Sequence, residues 1–367
     1  MEIDKNSHHP HFERPTNIKP PSMFSLIILA AIIGLLAGGA GYWLTQSLVT
    51  SDSIYAGFTN FNNRVNVNID QPLTDLAQKY SSSVAGVYQK TAKLVSLDNP
   101  VFDQKDYLGA ATVITSDGWL MTTDQVTKSK EVMLVLGDNV YSPTEIKFDS
   151  FSGLAFLKIE ASFLSPIDFQ LAENYQAGER LFTNLDLAQS SSDYFHTAFL
   201  SDRHYVADKF LTTDQVDFYL KTDEANLSLN LLGAPYFNLK GDVLGVAYSF
   251  NQDLVLIPAK YLKQAVKHLL DGTERVTMGL RYLDFENNAG FLEKGHLIYH
   301  PTLAAVERNS AAFKAGIKAG DQIVAVNNSL ISEEQSLTAI LQNYRLGDKV
   351  ILRILRDRVE QDIEVQL

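Results

Sequence analysis

No cysteine occurs in the 367 residues. Its absence excludes structural disulfides, thiolate nucleophiles and cysteine-based metal sites. It does not reveal the compartment, because exported proteins also do without cysteine. Basic clusters are missing as well. With 31 Lys and Arg against 43 Asp and Glu, the net charge is -12 and no basic run interrupts it. That balance argues against a nucleic-acid partner. Histidine is absent between His11 and His196, so this long stretch has no imidazole to serve as a base near neutral pH. Charge is absent from Met23 to Val49.

That uncharged run, "MFSLIILAAIIGLLAGGAGYWLTQSLV", is long enough to cross a bilayer, which takes about 20 apolar residues. Tyr42 and Trp43 stand near its far end, where amphipathic rings favour the interface. A cleaved signal peptide usually has an apolar core of only about 7–15 residues, so residues 23–49 read as an uncleaved signal anchor. Lys5, Arg14 and Lys19 precede it, and Arg64 is the first base after it. The positive-inside rule then places the tail 1–22 in the cytoplasm and the rest outside the cytoplasmic membrane. Ala30, Gly34 and Gly38 form a small-residue face that could pack helices, although such spacing is common in a Gly/Ala-rich span. His8, His9 and His11 lack a fixed backbone and a fourth ligand, and read as a solvated tail. No metal site and no cofactor is expected.

Residues 50–71, rich in Asn, read as a stalk. From about Val84 to Ile257 short apolar runs such as "GAATVIT", "GWLMTT", "LAFLKIE" and "GDVLGVAYS" alternate with turn residues, the pattern of an all-β barrel pair or sandwich. A helix follows at "AKYLKQAVKHLLDG", stopped by Gly272. The last ninety or so residues form a separate α/β module. Within it the spacing predicts a helix from Ser332 to Tyr344, with Ser332 and Gln335 as a capping box.

The segments "GAATVITSDGWLMTTDQV", "LAFLKI", "TDEANLSLNLLGAPYFNLKGDVLGV" and "LVLIPAKYLKQAVKHLL" resemble, in order and spacing, the high-temperature-requirement (HtrA) serine proteases. "AAFKAGIKAGDQIVAVNN" resembles the PDZ domain that follows the protease in that family. The resemblance covers roughly residues 72–367. It implies a mainly β protein: a trypsin-like double β-barrel over 72–272, then an α/β PDZ domain over 276–367, preceded by one transmembrane helix.

The family's chemistry needs a Ser nucleophile, a His base and an Asp to orient it. The position of the histidine reads Gln125, which has no basic nitrogen. Asp124 is its neighbour and points the other way on an extended chain. The position of the aspartate reads Gly153, and Asp149, four residues upstream in what the resemblance makes a loop, is a poor replacement. The serine position reads Leu232, or Leu231 if the one extra residue after Asp223 is placed differently. A glycine of the oxyanion turn is replaced by Asn230, leaving the turn no evident reason to persist. Ser228 is the nearest hydroxyl. The residues therefore describe a pseudoprotease. The alternative is an active trypsin-like serine endopeptidase with a relocated triad, for which His196 and His204 exist, both in the second half.

A PDZ domain adds an extended peptide to a sheet edge. The resemblance assigns capture of the terminal carboxylate to Met278, Gly279 and Leu280, with Gly279 admitting close backbone approach. Leu337 and Leu341 form the other wall at i, i+4 spacing, although Ile340 and Leu341 read equally well as core. The partners expected are peptide or protein C-termini and unfolded proteins, bound in extracytoplasmic protein quality control or in regulation of an active protease. The resemblance also implies trimers held by aromatic residues ahead of the first barrel, where Tyr55, Phe58 and Phe61 lie. A stalk with scattered aromatics fits those three residues equally. Mixed assembly with an active paralogue extends the same idea.

Overall fold

The computed structural model describes residues 22–48, 70–90, 104–128, 131–168, 175–185, 194–206, 208–224, 229–284, 295–332 and 335–367. The chain divides into two compact units, Met1–Asn68 and Ile69–Leu367. In the first, α1 (Met23–Leu48) is 26 residues long. At about 1.5 Å per residue it exceeds the ~30 Å hydrocarbon core, and its described side chains are exposed. The histidines 8, 9 and 11 and the aromatics 55, 58 and 61 lie outside the described residues.

The second unit opens with α2 (Asp70–Ser81). Tyr80 stacks on Phe237 with ring centroids 4.3 Å apart and donates its hydroxyl to the Gly241 carbonyl at 2.9 Å. Seven strands follow: β1 (Val84–Gln89), β2 (Tyr107–Val113), β3 (Trp119–Thr123), β4 (Val132–Leu136), β5 (Asn139–Tyr141), β6 (Glu145–Asp149) and β7 (Leu154–Lys158). They form one antiparallel sheet in the order β5-β4-β1-β2-β3-β7-β6. The next seven are β8 (Arg180–Leu185), β9 (Tyr194–Tyr205), β10 (Phe210–Thr212), β11 (Tyr219–Thr222), β12 (Pro235–Asn238), β13 (Val243–Phe250) and β14 (Asp253–Pro258). Six of them close a barrel in the order β11-β14-β13-β12-β8-β9. The seven-stranded sheet and the closed barrel share one hydrophobic core, the half-barrel and barrel of a trypsin-like pair.

A helix of residues Ala259–Asp271 buries Tyr261, Leu262 and Ala265 and ends at Gly272 in the left-handed conformation. Beyond it β15 (Arg281–Asp284), β16 (His296–Ile298), β17 (Gln322–Val326), β18 (Ser329–Leu330), β19 (Lys349–Arg356) and β20 (Val359–Gln366) make the C-terminal sheet around its own core. That sheet takes in β10, which the apolar-run pattern does not mark, as an edge strand beside β15. The helix expected over 332–344 is shorter, Leu337–Leu341. Its cap is Ser336, whose hydroxyl accepts from the Ala339 N–H at 3.1 Å. Ser332 and Gln335 close a turn of their own ahead of it: their backbones bond reciprocally and the Ser332 hydroxyl accepts from the Gln335 N–H at 3.2 Å, so the pair lies before the helix rather than at its start.

Candidate functional site

The register of β3 against β7 pairs Thr123 with Leu154. The register carries on one residue further, to position 124 beside position 153. Asp124 N–H donates to the Gly153 carbonyl at 2.8 Å. Gln125 turns to β13: its Nε2 donates to the Ser249 carbonyl at 2.7 Å, and Ser249 N–H donates to its Oε1 at 2.9 Å. A side-chain amide carries one donor and one acceptor group, and here both serve the same backbone residue. The contact ties the first sheet to the barrel.

Gly153 has φ +75°, and a β-carbon there would stand 3.0 Å from the ring of Tyr248 and 3.2 Å from its hydroxyl. The ring itself stacks on Tyr219, with centroids 6.0 Å apart and planes within 3°. Burial is the main reason both phenol pKa values are raised, so both carry their protons. Asp149 is the last residue of β6 rather than part of a loop. Its carboxylate faces away from this cluster, to Arg275, with Nη2 to Oδ2 2.6 Å and Nε to Oδ1 3.1 Å, and the pair is nearly buried. Ser152 donates to it as well.

Leu231 and Leu232 are both buried in the core shared by the two halves. The turn that carries them opens with a 3-10 helix, Leu229–Leu231. Gly233 has φ +77°, and a β-carbon there would lie 2.2 Å from the Ala110 carbonyl oxygen. The Leu232 carbonyl accepts from Ala110 N–H at 2.8 Å. Close approach to β2 through a glycine, not a nucleophile, holds this backbone.

The second-half histidines have other partners. His196 Nε2 contacts the Glu224 carboxylate, and burial raises that carboxyl to about 7 while lowering the imidazole. His204 stacks on Phe218 at 4.3 Å. Ser228 lies outside the described residues.

In the C-terminal module, Met278, Leu280, Leu337 and Leu341 are all buried, and belong to its core. The N–H groups of Met278 and Gly279 do converge on a carboxylate, that of Asp214, at 2.9 to 3.3 Å. Gly279 (φ +71°) owes its lack of a side chain to Ser310, whose β-carbon would be 2.4 Å from one on residue 279. Asp214 lies 64 residues from Met278. No linear pattern links the two, and Tyr248 and Arg275 escaped sequence reasoning for the same reason.

A PDZ-domain family model matches residues 277–367. In sequence the chain is 28% identical over 282 residues to a probable periplasmic serine endoprotease DegP-like of Marinomonas sp., covering 73% of this chain and 58% of that protein. It therefore spans less than two thirds of that relative. It is 23% identical over 354 residues to the serine endoprotease DegS of Haemophilus influenzae, covering 91% of this chain and 95% of that one. Among solved structures, the HtrA-type protease AlgW with tripeptide superimposes with a TM-score of 0.59 at 17% identity, over 80% of this chain and 95% of that one. The serine endoprotease from Yersinia pestis does so with a TM-score of 0.52 at 19% identity, over 80% and 96%. The fold is thus the HtrA-type one, a trypsin-like pair followed by a PDZ domain.

Proposed function

We propose that this chain, with its HtrA-type fold and C-terminal PDZ domain, is a pseudoprotease that recognises peptide or unfolded-protein C-termini outside the cytoplasmic membrane. On this reading residues 1–22 are cytoplasmic, 23–49 anchor the chain, 50–71 are a stalk, and 72–272 and 276–367 are the protease-like and PDZ domains. The observation that carries the reading is the Tyr248 ring against Gly153. The space that an orienting carboxylate would need is filled by an aromatic side chain, while Gln125 is committed to the Ser249 backbone. Neither leucine at the serine position offers a nucleophilic atom.

Peptide recognition is supported by the PDZ match and by the two loop amides aimed at a carboxylate. Relatives named as periplasmic, together with the apolar helix, support an extracytoplasmic site of action. The role is then protein quality control or control of an active protease, alone, as a trimer or in a mixed assembly. Incubating the detergent-purified full chain with unfolded casein tests the proposal. Casein should be retained but not cut, and cleavage blocked by a serine-directed inhibitor would overturn it.

A further inference from the structure

The edge of β15, where a PDZ domain receives its peptide, is already paired. β10 runs antiparallel to it, with Phe210 opposite Leu283, Leu211 opposite Tyr282 and Thr212 opposite Arg281. The pairing continues past the strand. Thr213 N–H donates to the Leu280 carbonyl at 3.0 Å, and Leu280 N–H donates to the Thr213 hydroxyl at 3.1 Å. Asp214 then places its side-chain carboxylate on the amides of Met278 and Gly279. From the opposite wall, the Thr338 hydroxyl donates to the Thr212 carbonyl at 3.4 Å. Leu211 packs on the module's core.

An extended strand ending in a carboxylate held by two loop amides is how a C-terminal peptide would sit. We infer that Leu211–Asp214 is a built-in ligand that closes the PDZ groove in cis, and that an external C-terminal peptide enters only by displacing it. The inference rests on the peptide-binding reading above. The segment belongs to the connection between β9 and β11 of the closed barrel. Its displacement therefore frees a barrel connection, which couples the groove to the protease-like half. Asp214 imitates a terminus imperfectly, because the chain continues beyond it. A peptide that ends in a free carboxylate and an apolar residue is the class of competitor the groove should take.

A groove occupied in cis lowers apparent affinity by the fraction of molecules that are open. Charge-assisted hydrogen bonds are among the stronger contacts here, so their removal should shift that fraction substantially. The test uses the full chain in detergent, as wild type and as Asp214→Ala, with Leu211→Asp as a second way to loosen the segment. Fluorescence anisotropy follows a labelled decapeptide ending in a free-carboxylate Val, and hydrogen exchange follows the amides of Met278, Gly279 and Leu280. The expected result is roughly tenfold or greater tightening of peptide binding in both variants, with faster exchange at the three amides. Equal binding by wild type and variants would overturn closure and leave the peptide-binding reading intact. Faster exchange with no peptide binding in any form would overturn the peptide-binding reading, and competition in the groove with it. Unchanged exchange would show that Asp214 does not hold the segment, and would overturn the inference alone.

Discussion

Tyr248 lies with its ring against Gly153, 3.0 Å from the point where a β-carbon would stand. Gly153→Asp should therefore cost stability twice, through a side chain at positive φ and through overlap with the ring. The expected loss is about 2 kcal/mol or more. In a Tyr248→Ala background the steric part should vanish, and a double-mutant cycle on urea unfolding midpoints reads the coupling. Equal costs in both backgrounds would separate the two residues.

The same contact bears on reactivation. Gln125→His, Gly153→Asp and Leu232→Ser combined should give no robust turnover of unfolded casein, because triad members act as a unit and Tyr248 still occupies the carboxylate's space. Leu232→Ser alone should be silent. Robust cleavage by that single variant would show that a base and its orienting group survive elsewhere, and would contradict the losses read at positions 125 and 153.

Gln125 now works as a tie between the half-barrel and the barrel. Gln125→Ala removes two side-chain-to-backbone hydrogen bonds to Ser249. At about 0.5–1.5 kcal/mol each, the expected loss is about 1–3 kcal/mol by chemical denaturation. A neutral result would mean that water replaces the amide at no cost.

Arg275 and Asp149 form a nearly buried pair that joins β6 to the segment leading into the PDZ domain. Arg275→Met strands a buried carboxylate, and should destabilise by about 3–5 kcal/mol. Arg275→Met with Asp149→Leu should recover much of that loss. Thermal unfolding of the three forms would show it, and an equally unstable double variant would oppose it.

His296 introduces a pH dependence. Burial pushes its pKa down to about 4 from the usual 6.5, and its buried Nδ1 has no hydrogen-bond partner among the described residues. Asp284 stands 3.7 Å from Nε2, beyond hydrogen-bonding distance, so burial outweighs it. The folded state thus binds a proton less readily than the unfolded chain. The stabilisation is complete above about pH 6.5 and is lost as the pH falls toward 4. Melting temperature should drop over that window, and His296→Phe should flatten the drop. An unchanged slope would assign the acid sensitivity elsewhere.

Much of the fold is legible from local pattern. β3, β7 and β13 follow from short continuous apolar runs, because they are buried on both faces, and the helix over 259–271 from its one-faced periodicity and a glycine stop. β6 is harder to see: Glu145–Lys147 are exposed polar and apolar alike, so no alternation marks the strand. β10 has only three residues and gains its pairing from a strand about 70 positions away. The helix start at Ser336 was masked by Ser332, since both serines precede a residue they can cap. At the site, chemistry that is missing could be read from Gln125, Gly153 and Leu232. What fills the space could not, because Tyr248 and Asp214 reach it only through tertiary packing.

The most direct test of the central claim is labelling of the intact, folded full chain with a fluorophosphonate probe, beside an active trypsin-like protease as control. The account expects no serine whose labelling depends on the folded state, since no hydroxyl stands at position 232 beside a base. Near-stoichiometric modification of one serine, abolished by prior denaturation, would contradict it and identify a working nucleophile.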